Sequence, residues 1–225
     1  MFSCKQAASH YTGSTPIQEK QKDSMPIKSD SISQTIRSNF IDSFPAGFKD
    51  ILTLDSSILI DIKYATEANF TKQSLYPCPR CILKIEVAEK LIKVNQELER
   101  KGYKLKLLDC YRPLSVQKKL WKANPDPHFV MSPSKGSGHS RGTAVDVCLV
   151  TLDGKELEMG STYDEFSNRA YYSYPDIPDE VKRLRWILKS TMKSFGFNPI
   201  RTEWWHFQYG NRSKEAVMDF EWKCK

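Results

Sequence analysis

Two short segments carry side chains that could hold a metal ion. Residues 137–146 form a glycine-rich stretch that supplies His139 and, seven residues later, Asp146. The second segment contains Glu203 and His206, three positions apart and separated by two tryptophans. Neutral histidine and aspartate are common ligands of divalent metals, and catalytic zinc usually takes three protein ligands while one position stays open for water. The pattern therefore predicts a catalytic metal site with His206 as the third ligand.

Asp146 lies in an otherwise apolar run, residues 143–150, which is typical of a buried strand. An isolated buried carboxylate is costly, so it must bind a cation or pair with one. The alternative to a metal ligand is a buried salt bridge to Arg141 or Arg112.

Glu203 is a candidate general base because the adjacent tryptophans would form an apolar wall and raise the pKa of its carboxyl. In a regular strand Glu203 and His206 would point to opposite faces, so both reach one metal only at a bulge or a strand end. Otherwise Glu203 is a surface acid and His206 a hydrogen-bonded core residue. Arg112 could stabilise a developing oxyanion, or could form a structural ion pair with Asp109.

The apolar periodicity predicts one α+β domain, a mainly antiparallel sheet with packed helices, over residues 46–225. Residues 1–45 are polar and lack periodicity, so we expect a disordered tail. The expected elements are strands at 57–64, 103–108, 143–151 and 203–208, helices at 83–100, 113–121 and 179–195, and a hairpin return at 156–159.

The charge pattern argues against a nucleic-acid partner. The chain has 34 Lys and Arg against 27 Asp and Glu, which gives a net charge of +7, but acids are interleaved with the basic residues throughout. No apolar run reaches the roughly 18 residues of a transmembrane helix.

The six cysteines are widely dispersed and leave the compartment open. Cys78 and Cys81 have redox-motif spacing without its context, so we interpret them as a loop pair that either closes as a local disulfide or stays reduced. Residues 1–5 resemble the end of a bacterial lipoprotein signal, which makes Cys4 a candidate lipid anchor and would imply a periplasmic or membrane-anchored protein. The alternative is a cytoplasmic protein with an incidental cysteine.

Five blocks in register resemble the VanX-type D-alanyl-D-alanine dipeptidases, members of the zinc D,D-peptidase family with the hedgehog-type α+β fold. The match spans about residues 48–221, and the blocks are residues 61–71, 109–113, 137–146, 159–164 and 196–206.

The resemblance implies one zinc ion per chain, bound by His139, Asp146 and His206. It also implies that Glu203 is the general base, which later protonates the leaving amine, and that Arg112 stabilises the tetrahedral intermediate. Three further positions match residues that line the dipeptide pocket: Ser137 for the carboxylate of the substrate, Asp164 for its ammonium group, and Tyr64.

The predicted function is zinc-dependent hydrolysis of D-alanyl-D-alanine, with the small dipeptide as partner. Two alternatives remain: a D,D-carboxypeptidase that acts on longer cell-wall peptides, and a non-catalytic, zinc-stabilised module that binds them. The sequence departs from the family pattern at Cys110 and Lys72, where Gly is usual, and at Gly138, where a polar residue is common.

Overall fold

The computed structural model describes residues 44–224, within which no helix is both long and apolar enough to cross a membrane. The predicted tail, residues 1–45, and its candidate lipid anchor Cys4 lie outside the described residues except for the last two tail positions. The described residues belong to one compact unit.

Seven strands lie within the described residues: β1 Phe48–Asp50, β2 Leu59–Ile60, β3 Ile82–Lys84, β4 Tyr103–Asp109, β5 Ala144–Thr151, β6 Phe197–Pro199 and β7 His206–Tyr209. Five of them form a sheet at the centre of the domain, in the spatial order β2-β4-β5-β7-β6. Only β2 and β4 pair in parallel, so the prediction of a mainly antiparallel sheet is confirmed. A small antiparallel ribbon of β1 and β3 lies beside it.

Within the part of the chain that the structure describes, three helices complete the α+β architecture: α1 Ile85–Arg100, α2 Leu114–Ala123 and α3 Asp179–Ser194. Helices α1 and α3 were predicted from apolar spacing and α2 from the position of Pro113, and the predicted ends agree with the structure within about two residues. Helix α1 contacts β4 and α3, whereas α3 contacts β5 and β6. The apolar stripe of α1, with Val87, Leu91, Val94 and Leu98, is fully buried because it faces the sheet.

Some strand boundaries were wrong. The predicted strand at 57–64 pairs only at Leu59–Ile60, after which a 3-10 turn at Lys63–Ala65 carries Tyr64 into the core. Residues 156–159, predicted as the second strand of a hairpin, form no strand and make one isolated β-bridge, from Val150 to Glu156. Strands β1, β3 and β6 were not predicted, because runs of three residues give little periodic signal.

The interpretation of Cys78 and Cys81 as a loop pair was wrong. Cys78 is bonded to Cys224, and Cys81 is bonded to Cys110, with Cα–Cα distances of 5.9 and 5.2 Å. The two residues flank Pro79 and Arg80 in the chain that leads into β3, and their partners lie on different segments. Sequence spacing alone does not give disulfide connectivity.

Candidate metal and peptide site

All eight residues predicted for the site line one cavity of about 320 Å³. It lies where the end of β4 and the first residues of β5 and β7 come together. The predicted residues are Tyr64, Arg112, Ser137, His139, Asp146, Asp164, Glu203 and His206.

His139, Asp146 and His206 present their ligand atoms to a common point. The Nε2 atom of His139 lies 3.1 Å from Nδ1 of His206 and 3.3 Å from Oδ1 of Asp146, and Nδ1 of His206 lies 3.0 Å from the same oxygen. Asp146 and His206 are direct cross-strand partners on β5 and β7, which fixes their separation. His139 reaches them from a 3-10 turn, His139–Arg141, immediately before β5.

The arrangement fits zinc. Tetrahedral zinc with bonds of about 2.0–2.1 Å to nitrogen and oxygen places its ligands roughly 3.3 Å apart, close to the spacing of these three atoms. Nδ1 of His139 lies 2.7 Å from the carbonyl oxygen of Cys110; donation from Nδ1–H to that carbonyl leaves Nε2 with a lone pair for the metal. The site therefore has the donor set and the tautomer control of a catalytic zinc centre.

The electrostatic environment keeps Asp146 ionised. Burial alone would raise the pKa of Asp146, but the two neighbouring imidazoles outweigh this and hold it well below its ordinary value. Tyr163 donates its hydroxyl to Oδ2 of Asp146 at 2.9 Å, which leaves Oδ1 facing the two histidines. Burial is also the main cause that lowers the pKa of His206, which favours the neutral, metal-binding imidazole.

Glu203 lies at the edge of the ligand triangle, with Oε2 at 3.8 Å from Nδ1 of His206. It precedes β7, so a strand end and not a bulge lets both side chains face the cavity. Only 7 % of Glu203 is exposed, which excludes the surface-acid alternative. Burial, followed by the charges of Asp146 and Asp164, raises the pKa of Glu203 well above its ordinary value. A buried carboxyl with a raised pKa suits a group that must both accept and return a proton.

Hydrogen bonds to Asp109 and Gln117 fix the guanidinium of Arg112, which also lines the cavity. Its Nε and Nη2 donate to Oδ2 of Asp109 at 2.9 and 2.6 Å, and its Nη1 donates to Oε1 of Gln117 at 2.9 Å. The closest approach of Arg112 to Oδ2 of Asp146 is 3.8 Å. Arg141 donates instead to the carbonyls of Glu215 and Lys135. Asp146 therefore does not depend on either arginine for a close ion pair.

The three predicted substrate contacts lie around the same cavity. Tyr64 donates its hydroxyl to Oδ2 of Asp164 at 2.9 Å. Burial and the charge of Asp146 raise the pKa of Asp164 to about 7, so a cationic partner there would favour its ionised form. Ser137 is buried, and its hydroxyl accepts a hydrogen bond from the backbone N–H of His139.

The three departures from the family pattern have structural counterparts. Cys110 belongs to a disulfide. Lys72 adopts a φ of 55°, in the left-handed region that favours glycine. A Cβ atom at Gly138 would lie 2.9 Å from that of Ala144, so the close approach of the two segments requires glycine here.

Sequence reasoning missed Tyr163 and Gln117. Tyr163 donates a hydrogen bond to Asp146. Gln117 accepts a hydrogen bond from Arg112, and the Nε2 atom of Gln117 donates to the carbonyl of Met131 at 2.7 Å. Gln117 is fully buried, and a glutamine on the core-facing side of α2 was the signal that could have identified it.

A His-Asp-His triangle, two of its members buried and His206 partly buried, beside a buried carboxyl and a fixed guanidinium defines a hydrolytic metal centre of the zinc peptidase class. The comparisons with known proteins identify the family. Residues 45–222 match Peptidase_M15, described as D-ala-D-ala dipeptidase, and the chain belongs to this family. The resemblance seen in the sequence is thus confirmed, and the protein is a peptidase.

Curated relatives are similar over most of their length. The D-alanyl-D-alanine dipeptidase of Escherichia coli strain K12 is 34% identical over 175 residues, which cover 78% of this chain and 91% of the relative. The enzyme of the same name from Enterococcus faecium is 32% identical over 182 residues, or 72% of this chain and 90% of the relative.

Solved structures show a weaker similarity. The vancomycin resistance D,D-dipeptidase VanXYg, in complex with a D-Ala-D-Ala phosphinate analogue, is 20% identical with a TM-score of 0.38 and covers 66% of this chain and 56% of that chain. The D,D-pentapeptidase VanY in complex with Zn(II) is 19% identical with a TM-score of 0.37, covering 59% of this chain and 75% of that chain.

Proposed function

We propose that the protein hydrolyses D-alanyl-D-alanine to two molecules of D-alanine with one bound zinc ion. The observation that carries the proposal is the position of Glu203: its carboxyl is buried in the cavity, 3.8 Å from a ligand atom of the His-Asp-His triangle. A structural metal site needs no such group. The presence of Arg112 in the same cavity argues in the same direction.

The ends of a dipeptide find charged and polar partners in the cavity. Asp164 would receive the ammonium group of the substrate, and Ser137 would receive its carboxylate. A cavity of about 320 Å³ lies at the small end of ligand pockets. A site that pairs both charged termini discriminates against longer peptides, because their chain ends would leave buried polar groups unpaired.

His139, Asp146 and His206 would hold the zinc ion, which when bound polarises the scissile carbonyl and makes water more acidic. Glu203 accepts the proton of the attacking water and later delivers it to the leaving amine. Arg112 stabilises the negative charge that develops on the carbonyl oxygen. Asp109 and Gln117 hold the guanidinium, so its orientation is set before the substrate binds.

The proposal is tested by zinc analysis and by assay of D-alanine release from the free dipeptide. Glu203→Gln should keep one zinc ion per chain but lower kcat by about 10²–10⁴-fold, because it removes the general base and leaves the ligands in place. Glu89→Gln, at an exposed position on α1, is the matched control and should behave as wild type. Removal of the metal by a chelator should abolish the activity, and added zinc should restore it. Wild-type activity in Glu203→Gln, or a purified protein without zinc, would falsify the proposal.

The alternatives are separated by substrate length. Rates on the free dipeptide and on a pentapeptide that ends in D-Ala-D-Ala are compared with the same preparation. Faster cleavage of the dipeptide supports the proposal, whereas faster cleavage of the pentapeptide identifies a carboxypeptidase. Tight binding of the dipeptide without turnover would identify a binding module.

We further propose that the protein works in an oxidising compartment. Disulfides such as Cys78–Cys224 and Cys81–Cys110 are rare in reducing cytosol and common in exported proteins. This agrees with the periplasmic or anchored alternative expected from the sequence around Cys4. Thiol alkylation of protein from intact native cells, followed by mass spectrometry, tests it. Alkylation of all four cysteines would contradict the proposal.

A further inference from the structure

The Cys81–Cys110 disulfide is joined to a predicted zinc ligand through one peptide carbonyl. Cys110 follows the last residue of β4, and its carbonyl oxygen lies 2.7 Å from Nδ1 of His139. That carbonyl fixes which ring nitrogen of His139 faces the other two ligands and at what angle. A group that orients a metal ligand affects metal affinity without contacting the metal.

The segment around Cys110 is held on two sides. On one side the disulfide to Cys81 lies next to a hydrogen bond from the N–H of Tyr111 to the carbonyl of Ile82, 2.9 Å long, so two adjacent links join the segment to β3. On the other side the N–H of Arg112 donates to the carbonyl of His139 at 3.2 Å. The segment therefore connects the β1–β3 ribbon to the turn that carries His139.

The sulfurs are shielded from solvent. Cys81 has no exposed surface and Cys110 has 1 %, and both belong to the hydrophobic core. Without the covalent link, hydrogen bonds and packing alone would hold the chain between Asp109 and Arg112. Those contacts are less rigid than a covalent bond, and a shift of the Cys110 carbonyl would reach His139 through their hydrogen bond.

We infer that the Cys81–Cys110 disulfide is a positioning device for the metal centre, which raises zinc affinity by fixing the Cys110 carbonyl against His139. The inference rests on the proposed zinc site and deepens it. It assigns Cys81 and Cys110 a role in the function of the site and not only in the stability of the fold.

The second disulfide is a matched control. Cys78–Cys224 joins residues 146 positions apart, against 29 for Cys81–Cys110, so its removal should destabilise the fold more. In the part of the chain that the structure describes, Cys78 and Cys224 make no contact with the zinc ligands. A purely structural role and a positioning role therefore predict opposite rankings of the two variants.

The test compares wild type, Cys81→Ala/Cys110→Ala and Cys78→Ala/Cys224→Ala, each confirmed as folded by circular dichroism. Zinc affinity is measured by competition with a chelator, and the melting temperature is measured on the metal-free proteins. We expect about tenfold weaker zinc binding in Cys81→Ala/Cys110→Ala, with the smaller drop in melting temperature. The control should bind zinc within about twofold of wild type and show the larger drop. If the first variant does not fold, Cys81→Val/Cys110→Ala replaces the lost sulfur volume and is measured in its place.

Equal zinc affinity in wild type and both variants would overturn the inference and leave the proposed function intact. Equal weakening in both variants would also overturn it, since general loosening would then explain the loss. A wild-type protein that binds no zinc would overturn both proposals, so the failures are distinguishable.

Discussion

At the scale of single residues, the site depends on carboxyl groups whose charged form is normally disfavoured by burial. Glu203, Asp164 and Asp146 are carboxyls in one small cavity, and burial raises the pKa of the first two. Asp146 escapes this effect because two imidazoles face it. Acid-base chemistry beside a bound metal requires one carboxyl that stays ionised as a ligand and another that can take up a proton, and Asp146 and Glu203 have these properties.

Asp164→Asn should stabilise the metal-free protein at alkaline pH. The pKa of Asp164 is raised to about 7 in the folded protein, so keeping it ionised costs folding free energy that increases as pH rises from the unfolded pKa near 4 and is complete above about 7. We expect a gain of about 1–3 kcal/mol at pH 8 that disappears below about pH 4. Asparagine tolerates the positive φ of 58° at this position, so the backbone need not change.

Urea unfolding of the metal-free protein at several pH values measures this effect, with Asp176→Asn, an exposed aspartate on the surface, as the control. A gain that is the same at all pH values would show that ionisation of Asp164 is not its cause. The same variant should raise KM for the dipeptide more than it lowers kcat, because the role proposed for Asp164 is in binding.

At the scale of elements, the site is assembled from the ends of strands and the turns beside them. Asp146 and His206 are paired across β5 and β7, whereas Asp109 ends β4 and His139 lies on the turn before β5. Helix α2 adds no predicted site residue but supplies Gln117, which orients Arg112 from behind. Strand ends and the turns beside them project side chains beyond the sheet, so groups from several segments meet in one cavity.

Gln117→Met should lower kcat/KM by roughly tenfold or more, chiefly through kcat. Methionine has a similar volume and fills the site, but it cannot accept from Arg112 or donate to the carbonyl of Met131. Zinc content should be unchanged, since Gln117 does not contact the ligands. Steady-state kinetics on the dipeptide measures the effect, and Gln96→Met on the exposed face of α1 is the control. Unchanged kcat would show that Arg112 is held adequately by Asp109 alone.

At the scale of the whole molecule, the C-terminal segment closes the fold around the site. Phe220 stacks on Tyr111 with ring centroids 4.1 Å apart, and Trp222 packs against Tyr76, whose hydroxyl donates to Asp109 at 2.7 Å. Cys224 then bonds this segment covalently to Cys78. The far end of the chain thereby supports the carboxylate that holds Arg112.

Loss of the Cys78–Cys224 disulfide should lower the free energy of unfolding by about 3–5 kcal/mol. The bond spans 146 residues, so it restricts the unfolded chain strongly, and its loss should cost roughly 1 kcal/mol more than loss of the bond that spans 29. Chemical denaturation of Cys78→Ala/Cys224→Ala measures it, with Cys148→Ser, a change at a cysteine that forms no disulfide, for comparison. A loss no larger than that of Cys81→Ala/Cys110→Ala would contradict the dependence on loop length.

The sequence by itself determined the helices, the class of fold, the family, and eight of the residues that line the cavity. Apolar spacing specifies which helix face is buried, and rare side chains inside apolar runs, such as Asp146, identify groups that need a partner. These signals lie within short stretches of sequence, so they can be recognised without the tertiary structure. The boundaries of short strands were less accurate, because β2 and β6 have only two and three residues and exist through pairing with distant neighbours.

Only the tertiary structure decided which groups support those residues. Cys81 is 29 positions from Cys110, and Tyr163 is 17 positions from Asp146, and neither separation leaves a periodic trace in the sequence. The structure also showed that Glu203 lies before β7 and not within it, which is why Glu203 and His206 can share one cavity. The identity of the side chains specifies what chemistry a site can perform. Contacts between distant parts of the chain set the geometry of the site and supply the hydrogen-bond partners that orient its residues.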